Sequence, residues 1–186
     1  MINSENMLET ERLLLRHFKL SDAEAMFCNW ASDPEVVRYM PYSVCHSLEE
    51  TKNAINDWFH YHEKNAPDSF EVFAIELKST REVIGTIDYV EYDRVTRSAE
   101  VGYQLGKTWW GYGYASEALQ TLVKYCFEKL KLSRIWADYD SRNINSGKVL
   151  EKSGFSYEKA TPLKQMDCDE LVSRVQYEIL AEDYFK

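Results

Sequence analysis

No apolar run in the chain is long enough to cross a bilayer, and the stretch from Met1 to Thr10, which carries Glu5 and Glu9 and no apolar core, is not a signal peptide. The cytoplasm is therefore the expected location. Cysteine is scarce. Cys28, Cys45, Cys126 and Cys168 form no Cys-x-x-Cys pair, which excludes a zinc ribbon or redox motif and reads as free thiols in a reducing compartment. The histidines offer no metal set either, because His60 and His62 stand two apart and point in different directions on a helix. No metal is expected. Basic charge is also short: 22 Lys and Arg against 31 Asp and Glu leave a formal charge of −9. Such a chain repels phosphate backbones, which argues against nucleic acid, and it suits a cationic amine through steering. Repeats, low-complexity runs and proline-rich linkers are absent, so a single domain is expected over 1–186, with its core at about 9–180.

What is present is a hydrophobic share of 45%, enough for one sizeable core. Arg12 to His17 reads as a first strand. Ser21-Asp22-Ala23-Glu24 is a capping-box pattern that predicts a helix to about Trp30, ended by Asp33-Pro34. Ser47-Leu48-Glu49-Glu50 repeats the pattern and predicts a helix to about His62, with Ile55, Trp58 and Phe59 on one face. Phe70 to Leu77 and Val83 to Tyr92 alternate as two strands of a hairpin, and Ser98 to Leu105 reads as another strand.

A long helix follows to about Leu130, with Ala115, Ala118, Leu119, Leu122, Val123, Cys126, Phe127 and Leu130 as its apolar stripe. Arg134 to Tyr139 is a short strand. Asn143 to Ser153 is a short helix with Gly154 as its left-handed cap, and strands begin at Phe155 and at Leu171, the last ending at Leu180. The order is α+β, with a mixed, largely antiparallel central sheet flanked by helices.

The informative segment lies between the strand ending at Leu105 and the long helix: Gly106-Lys107-Thr108-Trp109-Trp110-Gly111-Tyr112-Gly113-Tyr114. A helix start offers unpaired N–H groups and the positive end of the dipole, and glycines let an anion approach. Gly111, Tyr112, Gly113, Tyr114 and Ala115 can therefore cradle a diphosphate with backbone amides. No Lys-Ser/Thr follows, so this is not a nucleotide P-loop, and the spacing is not the three-glycine dinucleotide fingerprint. The alternative at this point is a loop that only turns the chain.

Trp110-Gly111-Tyr112-Gly113-Tyr114-Ala115-Ser116-Glu117-Ala118 resembles the acetyl-CoA pyrophosphate loop of the GNAT superfamily, in particular the branch of the RimJ and RimL ribosomal-protein acetyltransferases. Three further stretches match in order: Glu9-Thr10-Glu11-Arg12-Leu13-Leu14-Leu15-Arg16, then Ala99-Glu100-Val101-Gly102-Tyr103, then Asn143-Ile144-Asn145-Ser146 with Val149-Leu150-Glu151-Lys152-Ser153-Gly154-Phe155. The resemblance runs from about Glu9 to Leu180. It implies the acyl-CoA N-acyltransferase fold, acetyl-CoA as cosubstrate, an amine acceptor and, at family level, a homodimer. Two positions depart from the wider pattern. Trp110 stands where Arg or Gln often begins the loop, and Leu150 stands where a Tyr often protonates the leaving thiolate.

The resemblance further implies that the strand from Gly102 to Leu105 splays from its neighbour, so that Tyr103, Gln104 and Leu105 hold the pantetheine arm, with Asn143 also on the cofactor. Thioester aminolysis needs a neutral amine, donors for the oxyanion and a proton or hydrogen bond for the thiolate. Ser146, three residues after Asn143 on the same helix face, is the candidate for the thiolate. Its alternative role is to extend the helix cap. Glu100 is the candidate base, with Asp88 and Glu91 as rivals and a solvated strand-end charge as its alternative. Tyr103 reads as wall rather than catalyst, and Trp109 and Trp110 either close over the cofactor or pack in the core.

Acceptor classes stay open between a protein N-terminus or lysine and a small amine such as a polyamine, aminoglycoside or metabolite. An acid-rimmed open groove would favour a peptide end and a closed pocket a small amine. The competing class is a non-catalytic acetyl-CoA sensor, which would lack a usable acid or base near the thioester. A purely structural partner protein is argued against by the intact loop.

Overall fold

The computed structural model describes residues 7–65, 70–164 and 171–186. Cys168 and the side chains of Trp58, Phe59, His60 and His62 lie outside the described residues. Eight strands make one sheet: β1 (Leu8–Glu9), β2 (Leu13–His17), β3 (Glu71–Leu77), β4 (Val83–Asp93), β5 (Ser98–Leu105), β6 (Arg134–Asp140), β7 (Ser156–Lys164) and β8 (Leu171–Leu180). Their spatial order is β1-β2-β3-β4-β5-β6-β8-β7. Every neighbouring pair is antiparallel except β5 with β6. The helices are α1 (Ala23–Met26), α2 (Pro34–Val37), α3 (Leu48–Asn65), α4 (Tyr114–Glu128), α5 (Ile144–Lys152) and α6 (Ala181–Tyr184).

Period-two alternation gives the sheet two apolar faces. On one, Leu13, Leu15, Phe73, Ile75, Ile87, Ala99 and Val101 meet the stripe of α4, where Ala118, Leu119, Leu122, Val123, Cys126 and Phe127 are buried as the helical spacing requires. On the other, Phe18, Met26, Trp30, Val36 and Ile55 cover Ala74 and Val83. Among the described residues no helix is long and apolar enough to cross a membrane.

The first capping box does not form. The Asp22 carboxylate accepts from the Lys19 backbone N–H at 2.7 Å and pairs with Arg16, so the chain enters through a short 3-10 turn at Leu20–Asp22 and leaves α1 through a π turn at Phe27–Ala31. Asp33-Pro34 ends that segment and also starts α2, because Asp33 accepts the Glu35 N–H and proline sits at the first helical position. At α3 the Ser47 hydroxyl does accept the Glu50 N–H, at 3.2 Å, but the Glu50 carboxylate reaches back one residue further than expected, to His46 N–H at 2.7 Å. The short β1, α2 and α6 were not foreseen in the sequence pattern, which needs a longer run to show a period.

Candidate active site

β5 and β6 pair only at Ser98↔Arg134, Ala99↔Ile135 and Glu100↔Trp136. Beyond Glu100 each follows its outer neighbour: β5 stays in register with β4 as far as Leu105, and β6 stays with β8 as far as Asp140. The two strands therefore part, and the edge of β5 from Val101 to Leu105 makes no ladder with β6. A cleft of about 690 Å³ opens there, walled by β5, the turn before α4, the start of α5 and the α2 region. Tyr103 and Gln104 both line it. Consecutive strand residues point to opposite faces, so the cleft runs through the sheet rather than along one side.

At the head of the cleft, Gly111 and Gly113 sit in the left-handed region, at φ 83° and 82°. A side chain there would strain the backbone by about 1–2 kcal/mol. Gly113 is the N-cap of α4 and brings no side-chain cap. The first bond across the turn is Glu117 N–H to Gly113 O at 3.1 Å, so the amides of Tyr114, Ala115 and Ser116 precede the helical ladder and face the cleft mouth. The space around Gly111 is open, with no heavy atom within 4 Å of where a Cβ would stand. These amides and this room suit a diphosphate.

Arg12 fixes the loop from behind. Its Nε donates to Glu117 at 2.6 Å, its Nη1 to the Tyr112 carbonyl at 3.1 Å, and its guanidinium lies 4.5 Å from the Tyr114 ring centre. The Tyr112 carbonyl is held by Arg12 and its ring is 63% exposed and stacked on Tyr114, while Gly111 and Gly113 on either side line the cleft. Trp109 and Trp110 both line the cleft, and Trp110 Nε1 donates to Leu105 O at 2.8 Å, tying the turn to the end of β5.

From the other side α5 contributes Asn143 and Ser146, together with Lys148 and Lys152, which the sequence reading did not single out. Leu150 is fully buried in the core. The Tyr103 hydroxyl lies 2.9 Å from both the Ser146 hydroxyl and the Ser146 carbonyl. Tyr103 thus joins β5 to the first turn of α5 across the cleft. Burial holds its phenol well above the ordinary tyrosine range, partly opposed by the Ser146 hydroxyl.

Glu100 occupies the last rung of the β5–β6 ladder, on the sheet face shared by Gly102 and Gln104, and is not itself in the cleft wall. Burial, and then the charges of Asp138 and Glu91, push its carboxyl up to about 7, against the pull of Arg174. Asp88, cross-strand from Gly102, is raised by burial to about 6 although it accepts a backbone hydrogen bond from Gly102. A Cβ on Gly102 would come within 2.8 Å of Asp88 Oδ1, so a larger residue there displaces the carboxylate. Glu91 is exposed on a bulge, and Asp138 is paired with Arg174. Tyr42, another residue missed in the sequence, donates to Gln104 Oε1 at 2.7 Å. Among the described residues no group of three or more His, Cys, Asp or Glu is placed to hold a metal.

The model of the acetyltransferase (GNAT) domain matches residues 12–156. An uncharacterised N-acetyltransferase, p20, of Bacillus licheniformis is 36% identical over 180 residues, covering 95% of this chain and 97% of that protein. The [ribosomal protein uS5]-alanine N-acetyltransferase of Escherichia coli is 27% identical over 158 residues, covering 81% and 78% of the two chains. The crystal structure of a GNAT-family acetyltransferase from Bacillus anthracis superposes with a TM-score of 0.79 at 31% identity, over 95% of this chain and 99% of the other.

Proposed function

The chain belongs to the GNAT acetyltransferase family, and from that premise we propose that it binds acetyl-CoA in the β5–β6 cleft and transfers the acetyl group to a primary amine by direct attack in a ternary complex. The observation that carries this reading is the early end of the β5–β6 ladder beside a glycine-capped helix start. Acetyl-CoA supplies the activated acyl group. The amides of Tyr114, Ala115 and Ser116 take the diphosphate, with Gly111 and Gly113 leaving it room, and Lys148 and Lys152 add positive charge on the α5 wall. The open edge of β5 from Tyr103 to Leu105 takes the pantetheine arm and offers backbone donors to the carbonyl, while Asn143 borders it from α5.

Glu100, directly or through one water, receives the proton of the attacking amine. As the new C–N bond forms and the C–S bond breaks, the Ser146 hydroxyl donates to the departing sulfur and Tyr103 backs that hydroxyl. Tyr103 donates its one proton to the Ser146 carbonyl, so the Ser146 hydroxyl rests on the Tyr103 oxygen and turns from it to the sulfur as the C–S bond breaks. A sensor without catalysis would need neither group, and the place of Ser146 in the cleft wall supports the catalytic reading.

Calorimetric titration with acetyl-CoA tests the reading. The parent binds, and Gly113→Glu, which sets a carboxylate where the diphosphate belongs, loses at least a hundredfold in affinity. A folded parent that fails to bind would overturn it.

A further inference from the structure

Two buried polar atoms near the seam have no partner: Gln104 Nε2 and Thr86 Oγ1, on residues each only 5% exposed. They belong to one sheet face, because Thr86 and Gln104 are cross-strand partners in the β4–β5 ladder. The next pair on the same face is Asp88 with Gly102, and the next Val90 with Glu100. One small patch of sheet thus holds two carboxylates, an orphan amide donor and an orphan hydroxyl. Tyr42 closes its side, bonded to Gln104 Oε1 and near enough to Asp88 that burial and then the carboxylate's charge hold its phenol above the ordinary range. With Oε1 engaged by Tyr42, the Nε2 end of the amide is the one without a partner, and Gln104 lines the cleft. A buried donor without a partner is costly, so natural structures rarely leave one unless something fills the place.

The chemistry of the filler follows. Asp88 and Glu100 attract an ammonium group and repel a carboxylate. Gln104 Nε2 asks for an acceptor oxygen. Taking the transferase reading above as its basis, we propose that this patch is the acceptor mouth. It selects amines that carry a neutral oxygen on the carbon next to the one bearing nitrogen, with Gln104 Nε2 donating to that oxygen. The class is shared by peptide N-termini, in which the oxygen is a carbonyl, and by amino alcohols and amino sugars, in which it is a hydroxyl. Plain alkylamines leave the Gln104 donor unpaired, and free α-amino acids bring an anion among the carboxylates.

The test compares glycinamide, ethanolamine, propylamine and glycine as acceptors, following release of the coenzyme A thiol and expressing kcat/KM per neutral amine. Glycinamide or ethanolamine exceeds propylamine by roughly tenfold to a hundredfold, the range for leaving one buried donor unpaired, and glycine is the poorest. Glycinamide ahead of ethanolamine identifies the peptide source, and the reverse order the hydroxylated one. In Gln104→Leu the preference over propylamine collapses toward unity. Tyr42→Phe, a milder change at a partly exposed residue, frees the amide to turn and lowers the preference without removing it. Equal reactivity of glycinamide, ethanolamine and propylamine, a preference that survives Gln104→Leu, or no turnover of any of the four amines overturns the proposal. Acetyl-CoA binding on the same preparation separates these results from failure of the transferase reading, which would show as a folded parent that does not bind the cosubstrate.

Discussion

The two long helices begin in opposite ways. α3 opens with its own side chains turned inward on its backbone: Ser47 accepts the Glu50 amide, Glu50 accepts the His46 amide, and the Thr51 hydroxyl donates to the Ser47 carbonyl. α4 opens with a left-handed glycine and no side-chain cap, in front of the only place where two neighbouring strands of the sheet separate among the described residues. The same contrast holds for charge. Beside α1, Arg16 answers Asp22 and Glu76 at 2.7 and 2.6 Å, and Arg81 adds a second cation on Glu76. At the seam, Glu100 stands among Asp88, Asp138 and Glu91 with Arg174 as the opposing cation. The α1 side balances its buried charges. The seam leaves acids in excess of cations, the arrangement that favours a cationic ligand.

The largest effect expected is on the satisfied side. Arg16→Ala leaves two acids, 7% and 3% exposed, without the cation between them. Breaking a buried pair in this way costs about 3–5 kcal/mol. For a domain of this size that lowers Tm by roughly 10 °C, read by calorimetry. A small shift would mean that the balanced network is worth no more than a surface pair, and the contrast with the seam would lose its energetic footing.

At the seam the corresponding change should act on rate and leave the fold standing. Glu100→Gln lowers kcat by roughly a hundredfold to a thousandfold, the range for removing a general base. The wild-type pH profile bends near 7, because the base works only when ionised and its carboxyl is raised to about 7. In the variant that bend is gone and the remaining rate follows the ionisation of the amine. The linkage has a definite sign. A carboxyl raised in the folded state favours folding while protonated, and that contribution is lost as pH rises through about 7. Glu100→Gln should therefore melt above the parent at pH 8 and close to it at pH 4.5. An unchanged profile would transfer the base to Asp88.

Much of this contrast is written in the chain. Ser98–Leu105 and Leu171–Leu180 are strands with the bounds that alternation gives, and the stripe of α4 is buried where its spacing places it. The glycine turn is legible because positive φ excludes most side chains, and the pairing of Asn143 with Ser146 follows from helical spacing. The long-range partners are not legible. Arg12 reads as the first residue of a strand, yet it acts a hundred residues later, on Tyr112 and Glu117. Ser21 shows the limit of local patterns: its capping box loses to Arg16, which holds the neighbouring Asp22 from another element. Tyr103 reads as wall because nothing local tells that α5 brings Ser146 to its hydroxyl.

Arg12 offers a smaller test. Its side chain is 43% exposed, so its ion pair with Glu117 adds little stability. Its use is to keep the turn in shape before the cosubstrate arrives. Arg12→Ala should weaken acetyl-CoA binding roughly fivefold, the equivalent of about 1 kcal/mol of added ordering cost, with Tm nearly unchanged. Loss of stability without loss of affinity would make Arg12 part of the self-satisfied region after all.

The smallest effect is at the start of α3. Ser47→Ala removes the oxygen that accepts the Glu50 amide at 3.2 Å, and an N-cap of this kind is worth about 1 kcal/mol. Tm should fall by roughly 2–4 °C, while the affinity for acetyl-CoA stays within twofold, since among the described residues α3 lends none to the cleft wall. The pair of readouts matters more than either alone. A shift in affinity would mean that the two helix starts are coupled through the sheet and cannot be assigned separate roles. A null effect on Tm would place the cap in the Glu50 carboxylate instead, and Glu50→Ala, which frees the His46 amide, would then show the loss that Ser47→Ala did not.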